Sequence, residues 1–324
     1  MTHSVDERNR PSITIGISTY NRVDGTFPAA LRSALDQDYG DLEVLVCDNA
    51  SEDGTRAFME EQGDPRLQYH RHETNIGPNA NFNACLELAR GSYFLLLHDD
   101  DLLEPGFITK AVAAIGDRRP GVALGGVRLI DGVGAPMGTT SPPPADLGGA
   151  GLFEAWFQRR FSFYFCSTLF DAERLRARGG FATPENLFQD VVAIAYLAAD
   201  AGYVSVPGIA GSFRRHEANV GGSSHALRWV RDSEYLLALL CELFPDDAQT
   251  LHALGAPYLT AKCYRYVEAV PSPVDRWRLY RDIGRRFDNT LAPWQYLPGR
   301  YRARLRSRLA RAWRRLTGPP SATT

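Results

Sequence analysis

The sequence predicts an α/β fold, a mostly parallel sheet flanked by helices, followed by a helical C-terminal region. Three observations predict it. Short β-branched or apolar runs alternate with stretches of helical spacing through the first half of the chain. Polar loops rich in Asp, Asn, Ser and Gly stand at the strand-to-helix junctions. From His225 onward strand signals stop and helical spacing takes over. Alternating strands and helices bury their apolar faces best as a parallel sheet with helices on both sides.

The elements follow in order. Residues 12–18 are β-branched and apolar and read as a strand, and residues 26–37 carry helical spacing. Residues 42–47, Leu-Glu-Val-Leu-Val-Cys, read as a second strand, and residues 53–61 as a helix opening beside Ser51-Glu52-Asp53-Gly54. A short strand is expected at 67–71 and a helix at 79–90, with Phe82, Leu86 and Ala89 on one face. The apolar run 93–97 reads as a buried central strand, 105–115 as a helix and 122–129 as another strand. Residues 132–151, rich in Gly and Pro, read as a long loop. A helix at 152–160, an extended aromatic stretch at 161–170 and a helix at 171–178 closed by Gly179-Gly180 come next. A strong helix spans 187–201, a strand 203–206, and nearly all the rest is helical. The expected division is residues 1–220 as the main domain and 221–324 as the helical region.

Composition narrows the class. A chain of 324 residues that is 44% hydrophobic can bury a substantial core. A net charge of −2 argues against a nucleic-acid partner. The five cysteines are dispersed, with no C-x-x-C pair, which argues against a zinc ribbon or a disulfide scaffold. No apolar stretch is long enough to span a bilayer, and the polar N-terminal residues lack an apolar signal core, so the expected location is cytoplasmic.

The apolar run 93–97 ends abruptly in His98-Asp99-Asp100-Asp101. Adjacent carboxylates repel one another, so such a cluster favours a cation, and oxygen ligands suit Mg²⁺ or Mn²⁺. The plain alternatives are a solvated acidic loop, or Asp101 capping a helix near Pro105. Other junctions hold Thr19-Tyr20-Asn21-Arg22, Asp48 to Thr55, and Asn75-Ile76-Gly77-Pro78-Asn79. Parallel strands bring all these ends to one edge of the sheet. An aromatic ring, an Asp, an Arg and a carboxylate cluster then outline a nucleoside diphosphate site. Neither G-x-x-x-x-G-K-[ST] nor a G-x-G-x-x-G after a first strand is present, which weakens kinase, ATPase and dinucleotide readings.

On these motifs the chain resembles the family 2 inverting glycosyltransferases of the GT-A fold. The matching residues are Thr19 to Arg22, Asp48 to Thr55, and Asp99 to Pro105, and the similarity spans roughly residues 13–220, about two thirds of the chain. The resemblance implies that Thr19, Tyr20 and Arg22 line a nucleotide pocket, with Tyr20 near the base. It implies that Asp48 accepts a hydrogen bond from a uracil or thymine imide, and that Asn75, Gly77 and Asn79 approach base or ribose. It gives Asp99 a contact to ribose or donor sugar and gives Asp100 or Asp101 the metal, Mg²⁺ or Mn²⁺. His98 stands where the family often has an acid, which leaves the metal register open by one residue.

Downstream, Gln189-Asp190 stands where the family commonly has Glu-Asp, and Asp190 is the implied general base. It would deprotonate an acceptor hydroxyl as that oxygen attacks the anomeric carbon. The plain alternative is helix capping or a dipole contact. Arg214-Arg215-His216-Glu217-Ala218-Asn219 resembles the family's Arg-x-His segment. It would give His216 to the metal or diphosphate and Arg214 or Arg215 to the phosphate charge. The implied donor is a UDP- or dTDP-sugar. The acceptor, a lipid-linked glycan, another glycan or a natural product, is left open.

Residues 300–315 hold eight arginines and no acid, with Leu305, Leu309 and Trp313 at near-helical spacing. This basic amphipathic stretch suits either peripheral contact with an anionic membrane or packing within a homodimer. The aromatics Trp229, Tyr235, Trp277, Tyr280, Trp294 and Tyr296 read mostly as core. Two other functions are weighed. A nucleotidyltransferase acting on a sugar phosphate would need a glycine-rich basic loop after the first strand, which Thr19 to Arg22 matches poorly. A non-catalytic nucleotide- or carbohydrate-binding protein would keep the pocket without a working base.

Overall fold

In the computed structural model, residues 10–215 and 223–297 are described. The chain divides into two compact units, Met1–Asn219 with Tyr235–Leu254, and Val220–Glu234 with Gly255–Thr324.

The first unit is built on a nine-stranded sheet. Strands β1 (Ile13–Thr19), β2 (Leu42–Asp48), β3 (Leu67–Arg71) and β4 (Tyr93–His98) run parallel in the order β3-β2-β1-β4. Helices α1 (Phe27–Leu35), α2 (Thr55–Glu60) and α3 (Pro78–Leu88) make the crossovers between them. The near-continuous Ile, Val and Leu content of β1, β2 and β4 suits strands covered on both faces. On one face Ile15, Ile17, Leu95 and Leu97 share a core with Phe27 of α1 and with Phe107 and Ile108 of α4 (Phe107–Ile115). On the other, Phe94 packs against Phe181 at 6.2 Å between ring centroids, and Phe181 lies edge-on to Phe170 at 5.3 Å.

The strand order reverses between β1 and β4. The chain leaves β1 toward β2 and β3 on one side and returns as β4 on the other. The carboxyl ends of the strands therefore part there and open a crevice, the usual ligand position in such sheets.

Strands β5 (Leu102–Leu103), β6 (Val122–Ile130), β7 (Pro136–Thr140), β8 (Thr168–Asp171) and β9 (Tyr203–Arg214) extend the sheet. β8 runs antiparallel between β4 and β6, β9 is parallel to β6, and β5 and β7 pair antiparallel with β9 and β6. Helices α5 (Gly148–Phe157), α6 (Ala172–Ala177) and α7 (Gln189–Ala201) complete the described order up to β9.

Three expectations are corrected. The expected loop 132–151 contains β7 and the start of α5. Asp131 Oδ1 accepts the N–H groups of Val133 (3.0 Å) and Ala135 (2.8 Å), folding the chain back onto β6. β7 is largely exposed, so it carries no apolar alternation for a sequence pattern to report. The strand expected at 203–206 continues to Arg214, because Pro207-Gly208 falls where the β6–β9 register shifts. The helix expected from 105 begins at Phe107, since Leu102–Leu103 pair with β9 as a short strand.

The second unit is helical, with the first part of α8 (Ser223–Leu243), the latter part of α9 (Ala248–Val267), and α10 (Pro273–Arg286). Trp229 stacks flat on Tyr266 at 4.6 Å, with the Lys262 amine 5.0 Å from the Trp229 ring centroid. Tyr264 and Tyr280 are buried edge-to-face at 4.9 Å. Ser272 caps α10 by accepting the Asp275 N–H. Trp277 and Trp294, expected as core, are 44% and 69% exposed. No described helix is long and apolar enough to cross a membrane. The arginine-rich stretch 300–315 lies outside the described residues.

Candidate functional site

The crevice at the end of β1 and β4 is closed underneath by a hydrogen bond. Thr19 Oγ1 donates to Asp99 Oδ2 at 2.9 Å, and the Tyr20 N–H points to the same oxygen at 3.4 Å. Thr19 is buried, whereas the Tyr20 ring is 43% exposed at the mouth. Asn21 takes a left-handed backbone conformation (φ 52°). That turn lets its N–H donate to Ser51 Oγ (2.9 Å) while its Oδ1 accepts the Glu52 N–H (2.8 Å). Val23 N–H donates to Asp53 Oδ2 at 3.1 Å. The loops after β1 and β2 are therefore stitched together. Arg22 is exposed, with its charge near Asp99.

Asp48, at the end of β2, is fully buried. Its Oδ1 accepts the Ser51 N–H (2.8 Å), its Oδ2 accepts the Tyr69 hydroxyl (2.7 Å), and the Arg71 guanidinium lies 3.6 Å away. Burial, then the bond to Asp48, holds the Tyr69 hydroxyl well above its ordinary pKa. Asn49 ties in the third loop, donating to Asn75 Oδ1 at 2.9 Å and accepting the Ile76 N–H at 2.8 Å. Gly77, at φ 85°, turns the chain into α3, with Pro78 as its first residue. Below them Asn81, 1% exposed, donates to Ser18 Oγ (2.7 Å) and Cys47 O (2.9 Å) and meets His72 Nε2 at 3.0 Å.

The acidic run stands on the other side of the crevice. A ring nitrogen of His98 and one oxygen from each of Asp100 and Asp101 lie within 4.8 Å of one another. Asp101 is buried and does not cap α4; its Oδ1 accepts the Arg214 N–H at 2.9 Å. Burial, and then the neighbouring Asp100, pushes the Asp101 carboxyl well above the usual range. Burial also raises Asp99, against the pull of Thr19 and Arg22. Loss of water makes negative charge costly here, and a cation would offset that cost. The His98 ring stacks on Phe82 at 5.0 Å and packs beside Phe165 at 5.3 Å. Its Nε2 is buried without a hydrogen-bond partner, and burial lowers its pKa, favouring the neutral ring. A neutral imidazole that has an unpartnered Nε2 and offers one ring nitrogen near two carboxylates fits a divalent cation.

Asp190 lies in the first turn of α7, half-buried, with Oδ1 accepting the Val191 N–H at 2.9 Å. Next to it, Gln189 donates its side-chain amide to Asn79 Oδ1, joining the start of α7 to the start of α3.

The residues singled out by sequence are distributed as follows. Thr19, Tyr20, Arg22, Asp48, Asn75, Gly77, Asn79, Asp99, Asp100 and Asp101 gather along the carboxyl edge of β1 to β4, and Asp190 is linked to it through Gln189. Arg214 lies beneath the acidic cluster, its Nε donating to Asp100 O (2.8 Å) and its Nη1 to Asp131 O (3.2 Å) and Gly132 O (3.3 Å). Arg215 is exposed and bonds the Tyr164 hydroxyl. His216 lies outside the described residues. Sequence reading did not find Tyr69, Arg71, Asn81 or the His98–Phe82–Phe165 stack. Only the aromatic richness of 161–170 and the Asn-rich stretch after Asn75 hinted at them.

The comparisons with known proteins agree with this edge. Residues 14–177, half of the chain, match the model of glycosyl transferase family 2. The succinoglycan biosynthesis protein ExoO of Rhizobium meliloti is 33% identical over 102 residues, covering 32% of this chain and 29% of its own length. The GalNAc(5)-diNAcBac-PP-undecaprenol beta-1,3-glucosyltransferase of Campylobacter jejuni is 32% identical over 102 residues, 31% of this chain and 33% of its own. The chain thus spans about a third of the length of these curated relatives. Among solved structures, S. aureus TarS 1-349 in complex with UDP-GlcNAc superposes with a TM-score of 0.56 at 18% identity, covering 86% of this chain and 89% of that one. The mannosyltransferase PcManGT of Pyrobaculum calidifontis, in complex with GDP-Man and Mn²⁺, gives 0.52 at 19% identity, covering 96% and 85%. With the matched family model covering the strand-end edge just described, the chain belongs to glycosyl transferase family 2 and has the GT-A fold.

Proposed function

We propose that this protein is an inverting, metal-dependent glycosyltransferase that moves a sugar from a UDP- or dTDP-linked donor to an acceptor hydroxyl. The observation that carries the reading is the crevice between β1 and β4. There Thr19 bonds Asp99, the loops after β1 to β3 are cross-stitched, and His98, Asp100 and Asp101 cluster around one point. Tyr20 offers an exposed ring for stacking the base. Both Asp48 oxygens are engaged inside the fold, so its part in base recognition is to hold Ser51 and the second loop. Asn75, Gly77 and Asn79 flank the ribose, and Asp99 orients ribose or donor sugar.

Asp100 and Asp101, with His216, would hold Mg²⁺ or Mn²⁺. A cation bound there supplies charge compensation for the diphosphate as its bond to the anomeric carbon breaks. Arg214 holds Asp100 and Asp101 from below, which leaves the exposed Arg215 as the residue that meets the diphosphate. Asp190 takes the proton from the acceptor hydroxyl as that oxygen attacks the anomeric carbon, and attack opposite the leaving diphosphate inverts the configuration. The UDP-GlcNAc complex of TarS supports a uridine donor, and the undecaprenol-linked glycan in the name of the C. jejuni relative supports a lipid-linked acceptor. A lipid acceptor in turn supports a cytoplasmic protein at the inner membrane face, with the arginine-rich stretch 300–315 against anionic lipid.

Titration calorimetry with UDP, dTDP and GDP, each with and without Mn²⁺, tests the reading. UDP or dTDP should bind with micromolar affinity only when the cation is present. Binding of none of the three, or binding indifferent to the cation, would sink it.

A further inference from the structure

The acidic run of this chain begins with His98, and the structure gives that imidazole an unusual setting. Its ring is clamped between Phe82, stacked at 5.0 Å with planes 22° apart, and Phe165 at 5.3 Å. The two rings restrain the plane of the imidazole. Nε2 is nonetheless buried with no hydrogen-bond partner, an arrangement that costs free energy unless something else occupies the lone pair or the N–H. One ring nitrogen shares a 4.8 Å envelope with carboxylate oxygens of Asp100 and Asp101. Asp101 is itself held by the Arg214 N–H and Asp100 by the Arg214 guanidinium through its main-chain carbonyl. The imidazole, the Asp101 carboxylate and the Asp100 main chain thus stand on prearranged supports, as a ligand set requires.

We infer that His98 is a direct metal ligand, making the cation site of this enzyme a mixed nitrogen and oxygen site that selects a transition-metal ion such as Mn²⁺ over Mg²⁺. The inference rests on the metal-dependent reading above. Its chemistry is that of donor softness: Mg²⁺ takes oxygen ligands and keeps its waters, whereas first-row transition ions gain from an imidazole. With UDP present, the wild-type protein should bind Mn²⁺ roughly tenfold or more tightly than Mg²⁺.

The test is electron spin-echo envelope modulation of bound Mn²⁺ with UDP, joined to calorimetric affinities for Mn²⁺ and Mg²⁺. Imidazole nitrogen modulation should be seen in the wild type, persist in His216→Gln and vanish when His98→Gln is added to His216→Gln. His98→Phe, which keeps the aromatic stack, should also lose it in the His216→Gln background. In both His98 variants Mn²⁺ affinity should fall roughly tenfold or more while Mg²⁺ affinity changes little. Absence of nitrogen modulation from wild type that binds Mn²⁺, or its survival when either His98 substitution is combined with His216→Gln, overturns the inference while leaving the donor reading intact. Failure of wild type to bind any divalent cation with UDP overturns the donor reading itself, and the inference with it.

Discussion

Asp190 has a structural contact and a proposed catalytic role, and measurement separates them. In the first turn of α7 its carboxylate faces the positive end of the helix and accepts the Val191 N–H, a contact worth about 0.3–1 kcal/mol at most sites. As a general base it would carry far more of the reaction. Asp190→Asn should keep UDP affinity and lose less than about 1 kcal/mol of stability, yet cut turnover roughly a hundredfold to ten-thousandfold. Sugar-transfer assays beside calorimetry and denaturation check this. Unchanged turnover with lowered stability would make Asp190 a helix-terminus residue only. The type and order of Thr19, Asp48, Asp99 and Asp190 were legible because their motifs are local. Their partners were not. Tyr69 reaches Asp48 and Arg214 reaches Asp101 across long sequence separations, and no spacing rule links such residues.

At the scale of elements, the placing of α7 depends on a close approach. Gly121 immediately precedes β6, and its N–H donates to Gly202 O just past the end of α7, at 3.0 Å. A Cβ at Gly121 would overlap the Leu197 backbone carbonyl. Gly121→Ala should therefore push α7 away, costing about 1–3 kcal/mol and lowering turnover more than donor binding, because Asp190 rides on the same helix. Urea denaturation and a split of kcat against donor Kd would show it; a neutral substitution would mean that the helix is not seated there. The buried parallel strands were legible in the sequence because two-sided burial writes a continuous apolar run. The exposed β7 and the two-residue β5 were not, because an exposed or very short strand leaves no such run. Their partners in β6 and β9 define them instead.

At the scale of the molecule, the proposed donor edge belongs to the folded first unit and to no single segment. The loops after β1, β2 and β3 are tied to one another through Asn21, Ser51, Asn49 and Asn75, so ligand binding and global stability are linked. UDP with Mn²⁺ at a hundred times its Kd should stabilise the protein by about 2.7 kcal/mol, and a chelator should abolish that gain while leaving the ligand-free melting temperature unchanged. Scanning calorimetry checks both; a full thermal shift from UDP in chelator would contradict a metal-dependent site. The sequence by itself determined the alternation of strand and helix, the polar ends of the strands and the acidic run after Leu97, since periodicity and local composition encode these. Only the tertiary structure decided that β4 lies beside β1, that His98 is clamped between Phe82 and Phe165, and that Arg214 is spent holding Asp100 and Asp101. Those are contacts between distant segments, selected by packing and by the need to satisfy buried polar groups, and no local pattern records them.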